Sequence, residues 1–534
     1  MRVSLLFSLV ATILSALCLP LPAHAEPPDD RTPAARCAAL AGKRVPQDAI
    51  GWPTRGAEIV SATMVGPAAG LPDYCRIVGK VLAVTKTGIS YRFQLDMPTR
   101  WNGKAIQLGG GGVNGVLIDP ARRPTVTAPD VPPPLARGYA VFASDGGHSA
   151  PDGSFAMDPE TLINFGWQEL NKTRDAVRAI IMLHDHTAWS RLYFIGFSEG
   201  GREALLLAQR FGQYYDGIIA GAPVYALQAE ELGNLEMMKH LYAPGGWIDP
   251  TRTAALVRTV YDQCDRLDGL VDGIITAPQL CHPSLASLRC AAGQTPQATC
   301  FSDAQIRAVA AIAHRVDFPF TLNNGVRSYE GYPILEGGTF TTFTLGKRPQ
   351  PGTPASFKED AALYAFADPV LRYQIVRQKA AHLLDIDIAH YAEAATRMSV
   401  MTDATSTDIG SLTRHGGKLL LTHGLADTAV SYRNTVRYYQ GLVERYGTDT
   451  LDKSVRFYLI PGFDHGVGRF KAGWDDLSAL EEWVERGHPP QDAVIGDYQD
   501  GLSARRRLPL CPYPKWAHYR GGPADSAASF ICAD

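Results

Sequence analysis

The sequence predicts an α/β fold in which a largely parallel sheet, wrapped by helices, is interrupted by one long insertion. Three observations carry that expectation. Between about residues 100 and 225, short apolar runs alternate with amphipathic helical stretches, the pattern that buries parallel strands between helical layers. The alternation stops near Ala222-Pro223 and resumes only at residues 418–422 and 455–460. A glycine-flanked serine, Gly196-Phe197-Ser198-Glu199-Gly200-Gly201, joins a strand-like run to an Ala/Leu-rich helical one. Strand, turn and helix in that order are the setting of a nucleophile elbow.

Taken in order, Met1-Arg2, the apolar run 3–21 and Ala23-His24-Ala25 have the three regions of a secretory signal peptide, with cleavage after Ala25. Two other readings are a lipid anchor at Cys18, where Leu17 occupies a position that should be small, and a retained membrane anchor, for which no stop-transfer pattern follows. A Pro-rich start at 27–33 leads into β-rich runs such as residues 91–97, the antiparallel lead-in of a mixed sheet. Strands are expected at 104–108, 139–144, 192–197 and 217–220, with helices at 168–184 and 203–209. Residues 226–400 are Gly-, Pro- and Cys-rich. They read as a lid domain inserted between two halves, 26–225 and 401–534, of one catalytic domain. No internal repeat, heptad run or low-complexity tract is evident.

The chain has 534 residues, 46% hydrophobic and 20% charged, which is globular and long enough for one large core plus a second domain. Its formal charge of −3 falls by one, to −4, when Arg2 leaves with the leader. That balance argues against nucleic acid or an anionic membrane as partner. Loss of the leader also removes Cys18 and leaves eight cysteines, an even set that reads as disulfides in an exported chain. Eight cysteines allow about 105 connectivities. Proximity in sequence favours Cys37 with Cys75, Cys264 with Cys281, Cys290 with Cys300 and Cys511 with Cys532; buried free thiols are the alternative.

A serine hydroxyl attacks an acyl carbon only when an imidazole takes its proton and an acid orients that imidazole. Ser198 is the candidate nucleophile, the alternative being a turn serine in a Gly-rich connection. The strand at 418–422 runs into His423-Gly424-Leu425-Ala426-Asp427, and that at 455–460 into Pro461-Gly462-Phe463-Asp464-His465. Asp427 and His465 therefore fall just past the carboxyl ends of strands, and the order Ser198, Asp427, His465 is that of α/β hydrolases. Asp464 is a second acid candidate, His423 and His415 are rival bases, and Asp427 has a bland reading as a loop cap. Two backbone donors must stabilise the oxyanion. Glu199 supplies one, and the run Gly109-Gly110-Gly111-Gly112 after strand 104–108 supplies the other through Gly111 or Gly112. A phosphate-binding loop is the competing reading of that run, without the G-x-G-x-x-G spacing into a helix or a following P-loop lysine.

In the insertion, Cys264-Asp265-Arg266-Leu267-Asp268-Gly269-Leu270-Val271-Asp272-Gly273-Ile274 packs three carboxylates into a tightly turning stretch. Hard cations require such converging oxygens, and calcium in a structural role is the expectation; a solvated acidic turn is the alternative. Together, Gly109 to Gly112, Gly196 to Arg202, Asp216 to Pro223, this acidic loop, His423 to Asp427 and Pro461 to Gly466 resemble the tannase and feruloyl esterase family over nearly the whole mature chain.

The resemblance implies an α/β hydrolase with a large lid. It implies calcium held by Asp265, Asp268 and Asp272 with the carbonyls of Leu270 and Ile274, and hydrolysis of galloyl, feruloyl or related aryl esters such as terephthalate-type mono-esters. Many family members carry a disulfide between the residue before the nucleophile and the residue after the histidine. Here those positions are Phe197 and Gly466, so packing must position the two loops. Acyl transfer by the same residues, or a non-catalytic binding protein on the same fold, are the other readings. Lid aromatics Tyr329, Tyr332, Phe340 and Phe343 are candidates for an apolar slot or for plain core. The expected partner is a small aromatic ester, the expected location periplasmic or extracellular, and the oligomeric state is open.

Overall fold

The structure, a computed structural model, describes residues 31–291, 299–499 and 501–534. The expected signal peptide, and Cys18 within it, lie outside the described residues. Ten strands form the main sheet: β1 (Arg44–Val45), β2 (Ala57–Val65), β3 (Tyr74–Val81), β4 (Tyr91–Pro98), β5 (Lys104–Leu108), β6 (Ala140–Ser144), β7 (Arg191–Phe197), β8 (Gly217–Gly221), β9 (Lys418–Gly424) and β10 (Val455–Ile460). Their spatial order is β1-β2-β3-β4-β6-β5-β7-β8-β9-β10. The first four strands are an antiparallel meander, β4 meets β6 antiparallel, and every later pairing is parallel. This is the mixed, mostly parallel sheet of an α/β hydrolase.

The parallel strands alternate with period two between two apolar layers. Ala105, Leu192, Phe194, Ile218, Ala220, Leu419 and Leu421 face one core, whereas Ile106, Tyr193, Ile195, Ile219, Leu420 and Tyr458 face the other. The first layer is closed by helices α1 (Glu169–Asp185) and α2 (Glu199–Arg210), which contribute Val177, Ile180, Ile181 and Ala204 to Ala208. Helix α2 starts four residues before the helical stretch legible in the sequence. Gly200 and Gly201 are poor helix formers in isolation, and tertiary packing overrides that preference because only glycine fits there.

Between β8 and β9 the described residues add no strand to the main sheet. Helices α3 (Leu227–Leu241), α4 (Pro250–Cys264), α5 (Ala362–Val370) and α6 (Ala392–Thr402) occupy that stretch. Its apolar residues, Leu232, Leu235, Met238, Val309 and Ile312 among them, are continuous with the first sheet core. After β9 come α7 (Tyr432–Tyr446) and, after β10, α8 (Asp476–Arg486), whose Leu477, Leu480 and Trp483 close the second layer.

Four disulfides form, Cys37–Cys75, Cys264–Cys281, Cys290–Cys300 and Cys511–Cys532, the pairing expected from sequence proximity. Among the described residues no helix is long and apolar enough to cross a membrane.

Helix α2 touches β8 backbone to backbone. A Cβ on Gly201 would lie 2.5 Å from the Gly221 carbonyl oxygen and 2.7 Å from Pro223 Cα, so Gly201→Ala must displace the helix. It is expected to destabilise by about 1–3 kcal/mol and to lower the thermal unfolding midpoint. Gly66→Ala, where no atom stands within 4 Å of the added methyl, should leave the midpoint unchanged.

Candidate active site

Ser198 is the single residue between β7 and α2, held at φ 63° and ψ −121°. A non-glycine residue there stores strain of order 1–3 kcal/mol. The turn is fixed by the Ser198 N–H donating to Gly221 O at 2.9 Å and by the Arg202 N–H donating to Ser198 O at 3.1 Å. The flanking glycines are sterically required. A Cβ on Gly196 would stand 1.9 Å from Gly200 O, and one on Gly200 would stand 2.8 Å from Gly110 O.

Loops from the ends of β9 and β10 complete the arrangement. His465 Nε2 lies 2.8 Å from Ser198 Oγ, and its Nδ1 lies 2.9 Å from Asp427 Oδ2. With Nδ1–H donating to the carboxylate, Nε2 is left to accept the seryl proton. Asp427 is wholly buried, and its other oxygen accepts the N–H groups of Ala429 at 2.9 Å and Val430 at 2.8 Å. Burial opposes ionisation of Asp427, yet the charge and hydrogen bonds of His465 and His423 outweigh it and hold the carboxyl well below the usual range. Burial likewise disfavours the His465 cation, but the charge and hydrogen bond of Asp427, with Asp464 behind it, raise its pKa above the ordinary imidazole value.

The rival groups Asp464 and His423 have partners of their own, and His423 also stands 3.4 Å from Asp427 Oδ2 through Nε2. Asp464 accepts from the Thr428 N–H at 2.8 Å and from the N–H of His465 itself at 2.7 Å, which ties the two loops together. Burial, and then the nearby Asp427, push its carboxyl up to about 6. His423 is buried with Nε2 3.0 Å from Val430 O and Nδ1 2.8 Å from Thr435 Oγ1. His415 is exposed at the end of a short helix, Gly410–His415. At the two positions that lack cysteine, the Phe197 ring packs 4.9 Å from the His465 ring and 6.3 Å from Phe463. Gly466 adopts φ 81°. An aromatic contact positions the histidine loop here.

Glu199 opens α2, so its N–H has no acceptor within the helix. Its side chain is held by Arg202, which is itself fully buried. All five guanidinium N–H groups of Arg202 are engaged: two with Glu199 Oε1, the others with the carbonyls of Gly166, Thr402 and Phe165. Burial outweighs the guanidinium and pushes the Glu199 carboxyl up to about 7. The Gly-rich loop is fixed by another carboxylate. Glu203 accepts from the Gly110 N–H at 2.9 Å and from Asn114 Nδ2 at 2.7 Å.

Gly111 and Gly112 border two cavities that both reach Ser198 and His465. One, of about 490 Å³, runs past Val116, Asp119 and Arg122. The other, of about 240 Å³, is enclosed by Val224, Leu227, Glu230, Glu231, Phe357 and Pro369, and Phe366 stands at both. A larger cavity, about 1120 Å³ beside Tyr439 and Tyr513, borders none of the groups around Ser198. Tyr329, Tyr332 and Phe340 are buried and Phe343 is exposed; none of the four borders either cavity at Ser198. Phe357, Phe366, Glu230 and Glu231 stand there without any periodicity or motif to mark them in the sequence.

In the acidic loop, Asp265 accepts the Gly273 N–H at 3.0 Å, Asp268 the N–H groups of Leu270 at 3.1 Å and Thr276 at 2.9 Å, and Asp272 the Ile274 N–H at 3.0 Å. Arg506 pairs with Asp272 at 2.7 Å. Among the described residues no group of three or more His, Cys, Asp or Glu side chains is gathered tightly enough to hold a metal ion. Burial pushes Asp268 up to about 6 and also raises Asp272. Carboxylate and carbonyl oxygens are the donors a hard cation takes, and of the three carboxylates Asp272 is already paired with Arg506.

A family model described as tannase and feruloyl esterase matches residues 75–533. The chain is 34% identical to an uncharacterized esterase of Agrobacterium fabrum, over 93% of each sequence. It is 31% identical to the mono(2-hydroxyethyl) terephthalate hydrolase of Piscinibacter sakaiensis, covering 89% of this chain and 87% of that one. A probable feruloyl esterase B of Emericella nidulans is 28% identical over 84% of each. The solved feruloyl esterase B from Aspergillus oryzae superposes with a TM-score of 0.75 at 22% identity, over 94% of this chain and 100% of that one. The tannin acyl hydrolase from Aspergillus niger does so with 0.64 at 19% identity, over 90% of each. Both share the fold.

Removing Arg202 would leave Glu199 and three buried carbonyls without their donor. Arg202→Ala is expected to cost about 3–5 kcal/mol, the range for breaking a buried ion pair from one side, measured as a fall in unfolding midpoint. Arg397→Ala, whose partner Glu393 is 90% exposed, should cost about 0–1 kcal/mol.

Proposed function

Because the chain belongs to the tannase and feruloyl esterase family, and is a carboxylic ester hydrolase, we propose that Ser198, His465 and Asp427 carry out that hydrolysis through an acyl-enzyme. The observation that carries the reading is the unbroken hydrogen-bonded line from Ser198 Oγ through His465 to Asp427, at 2.8 and 2.9 Å. Ser198 attacks the ester carbonyl while His465 Nε2 takes its proton. The tetrahedral oxyanion is held by the N–H of Glu199 and that of Gly111 or Gly112. His465 then protonates the departing alcohol, Asp427 balancing the imidazolium charge. Water, deprotonated by the same imidazole, attacks the acyl-serine and releases the acid.

The acid is aromatic in this reading. Support comes from the relatives, named for feruloyl and terephthalate esters, and from the aromatic wall that Phe357 and Phe366 give the cavities. Residues 226–400 act as the lid, since they supply Glu230, Glu231, Phe357 and Phe366 to the site. Export to the periplasm or medium accords with four disulfides and with the leader-like residues 1–25. Calcium, held by Asp265, Asp268 and Asp272 with the carbonyls of Leu270 and Ile274, would fix the acidic loop and relieve its buried negative charge.

Four outcomes are expected. Ser198→Ala should lower kcat by about 10⁶ on methyl gallate, methyl ferulate or a mono-ester of terephthalate, assayed by acid release; residual turnover of the mutant near the wild-type rate would sink the nucleophile assignment. His465 must be neutral to accept a proton, so kcat/KM should rise with pH through its raised pKa. Asp427→Asn, which removes the charge that raises it, should shift that limb to lower pH while kcat falls about 10⁴-fold. Chelation with EGTA should lower the unfolding midpoint and added calcium restore it; a midpoint indifferent to both would mean that the loop is closed by its own hydrogen bonds.

A further inference from the structure

The smaller cavity at Ser198 has an unusual electrostatic lining. Three residues of its wall, Glu199, Glu230 and Glu231, are acidic, no Lys or Arg borders it, and the one basic residue there is His465, already paired with Asp427. All three are at most 5% exposed. Arg202, the nearest compensating cation to Glu199, has every N–H group committed to protein acceptors and none left for a ligand. Oε2 of Glu199 has no hydrogen-bond partner among the described residues. Glu231 is held by Asn234 at 2.9 Å, and Asn234 in turn accepts the Tyr332 hydroxyl at 2.7 Å, which ties Glu231 into the wall.

The two cavities that meet at Ser198 differ in size and in charge. The smaller, about 240 Å³, sets Val224, Leu227, Phe357 and Phe366 among its three glutamates and has room for a single ring. The larger, about 490 Å³, includes the cation Arg122 beside Asp119 and has room for the alcohol half of the ester. Resting on the proposed aromatic esterase activity, we propose that the smaller cavity receives the acyl ring, and that Glu199, Glu230 and Glu231 select an uncharged, hydroxyl-bearing ring over one carrying a second carboxylate.

A ring carboxylate offers acceptors only. Against ionised glutamates it is repelled, and against protonated ones it is stripped of water with no counter-charge. A phenolic hydroxyl, in contrast, can donate to an ionised carboxylate and accept from a protonated one. Burial, and for Glu230 the adjacent Glu231, push both carboxyl pKa values up, that of Glu231 to about 8. The cavity already resists the negative charge it contains.

The test is kcat/KM for three para-substituted methyl benzoates: 4-hydroxy, 4-carbamoyl and 4-carboxy. The last two are nearly the same shape and differ in charge. Wild type is expected to prefer both neutral esters over the carboxylate by about 100-fold, the scale on which an unpaired polar group is rejected. Leu227→Arg, which adds a cation to the wall, is expected to raise the relative rate on the carboxylate ester at least about 10-fold. If that variant does not fold, the wild-type ratio decides. Rates within about threefold across the three esters would overturn the proposal while leaving the aromatic-esterase reading intact. Cleavage of p-nitrophenyl acetate with no turnover of any benzoate would overturn both.

Discussion

The approach of helix α2 to the Gly109–Gly112 loop and to β8, with no side chain between the backbones, sets the position of every other group at the site. Gly196, Gly200 and Gly201 each lie where a Cβ would meet a carbonyl oxygen within 3 Å. That contact tilts the chain sharply at Ser198 and forces its left-handed conformation. It also brings the first N–H of α2 beside the glycine loop, so one packing constraint positions both the hydroxyl and the donors around it. The strain at Ser198 persists because its hydrogen bond to Gly221 of β8 and the glycine contacts of α2 hold the turn.

Buried charge is the second organising feature, and it is used in two opposite ways. Three acidic groups near Ser198 have designated partners: Asp427 with His465, Glu199 with Arg202, and Glu203 with the Gly110 N–H and Asn114. These pairs fix geometry more than they add net stability, since desolvation offsets much of the attraction. Arg202 extends the effect by gripping the carbonyls of Phe165, Gly166 and Thr402, which ties the end of α6 to the elbow helix. Glu230 and Glu231 have no such cation, and that deficit faces the smaller cavity.

Phe197 and Phe463 show how the histidine loop is held without a covalent link. The Phe197 ring lies 4.9 Å from the imidazole, inclined at 49° to it, and Asp464 secures the loop backbone. Side-chain packing and a buried carboxylate thus position this loop.

The sequence by itself determined the alternation of strands and helices, because burial on both faces of a parallel sheet demands apolar runs at fixed intervals. It also marked Ser198, Asp427 and His465, since each follows a strand in an order the topology preserves, and it paired the cysteines through short separations. The start of α2 was obscured, because local propensity opposes glycine in a helix and only the contact with β8 overrides it. Glu230, Glu231, Phe357 and Phe366 were likewise invisible. They lie far apart in the chain, carry no spacing signal, and converge on Ser198 only when the insertion folds back over the sheet. Tertiary structure alone decided what lines the cavity and how its charge is balanced, because both depend on distances between segments that no local pattern encodes.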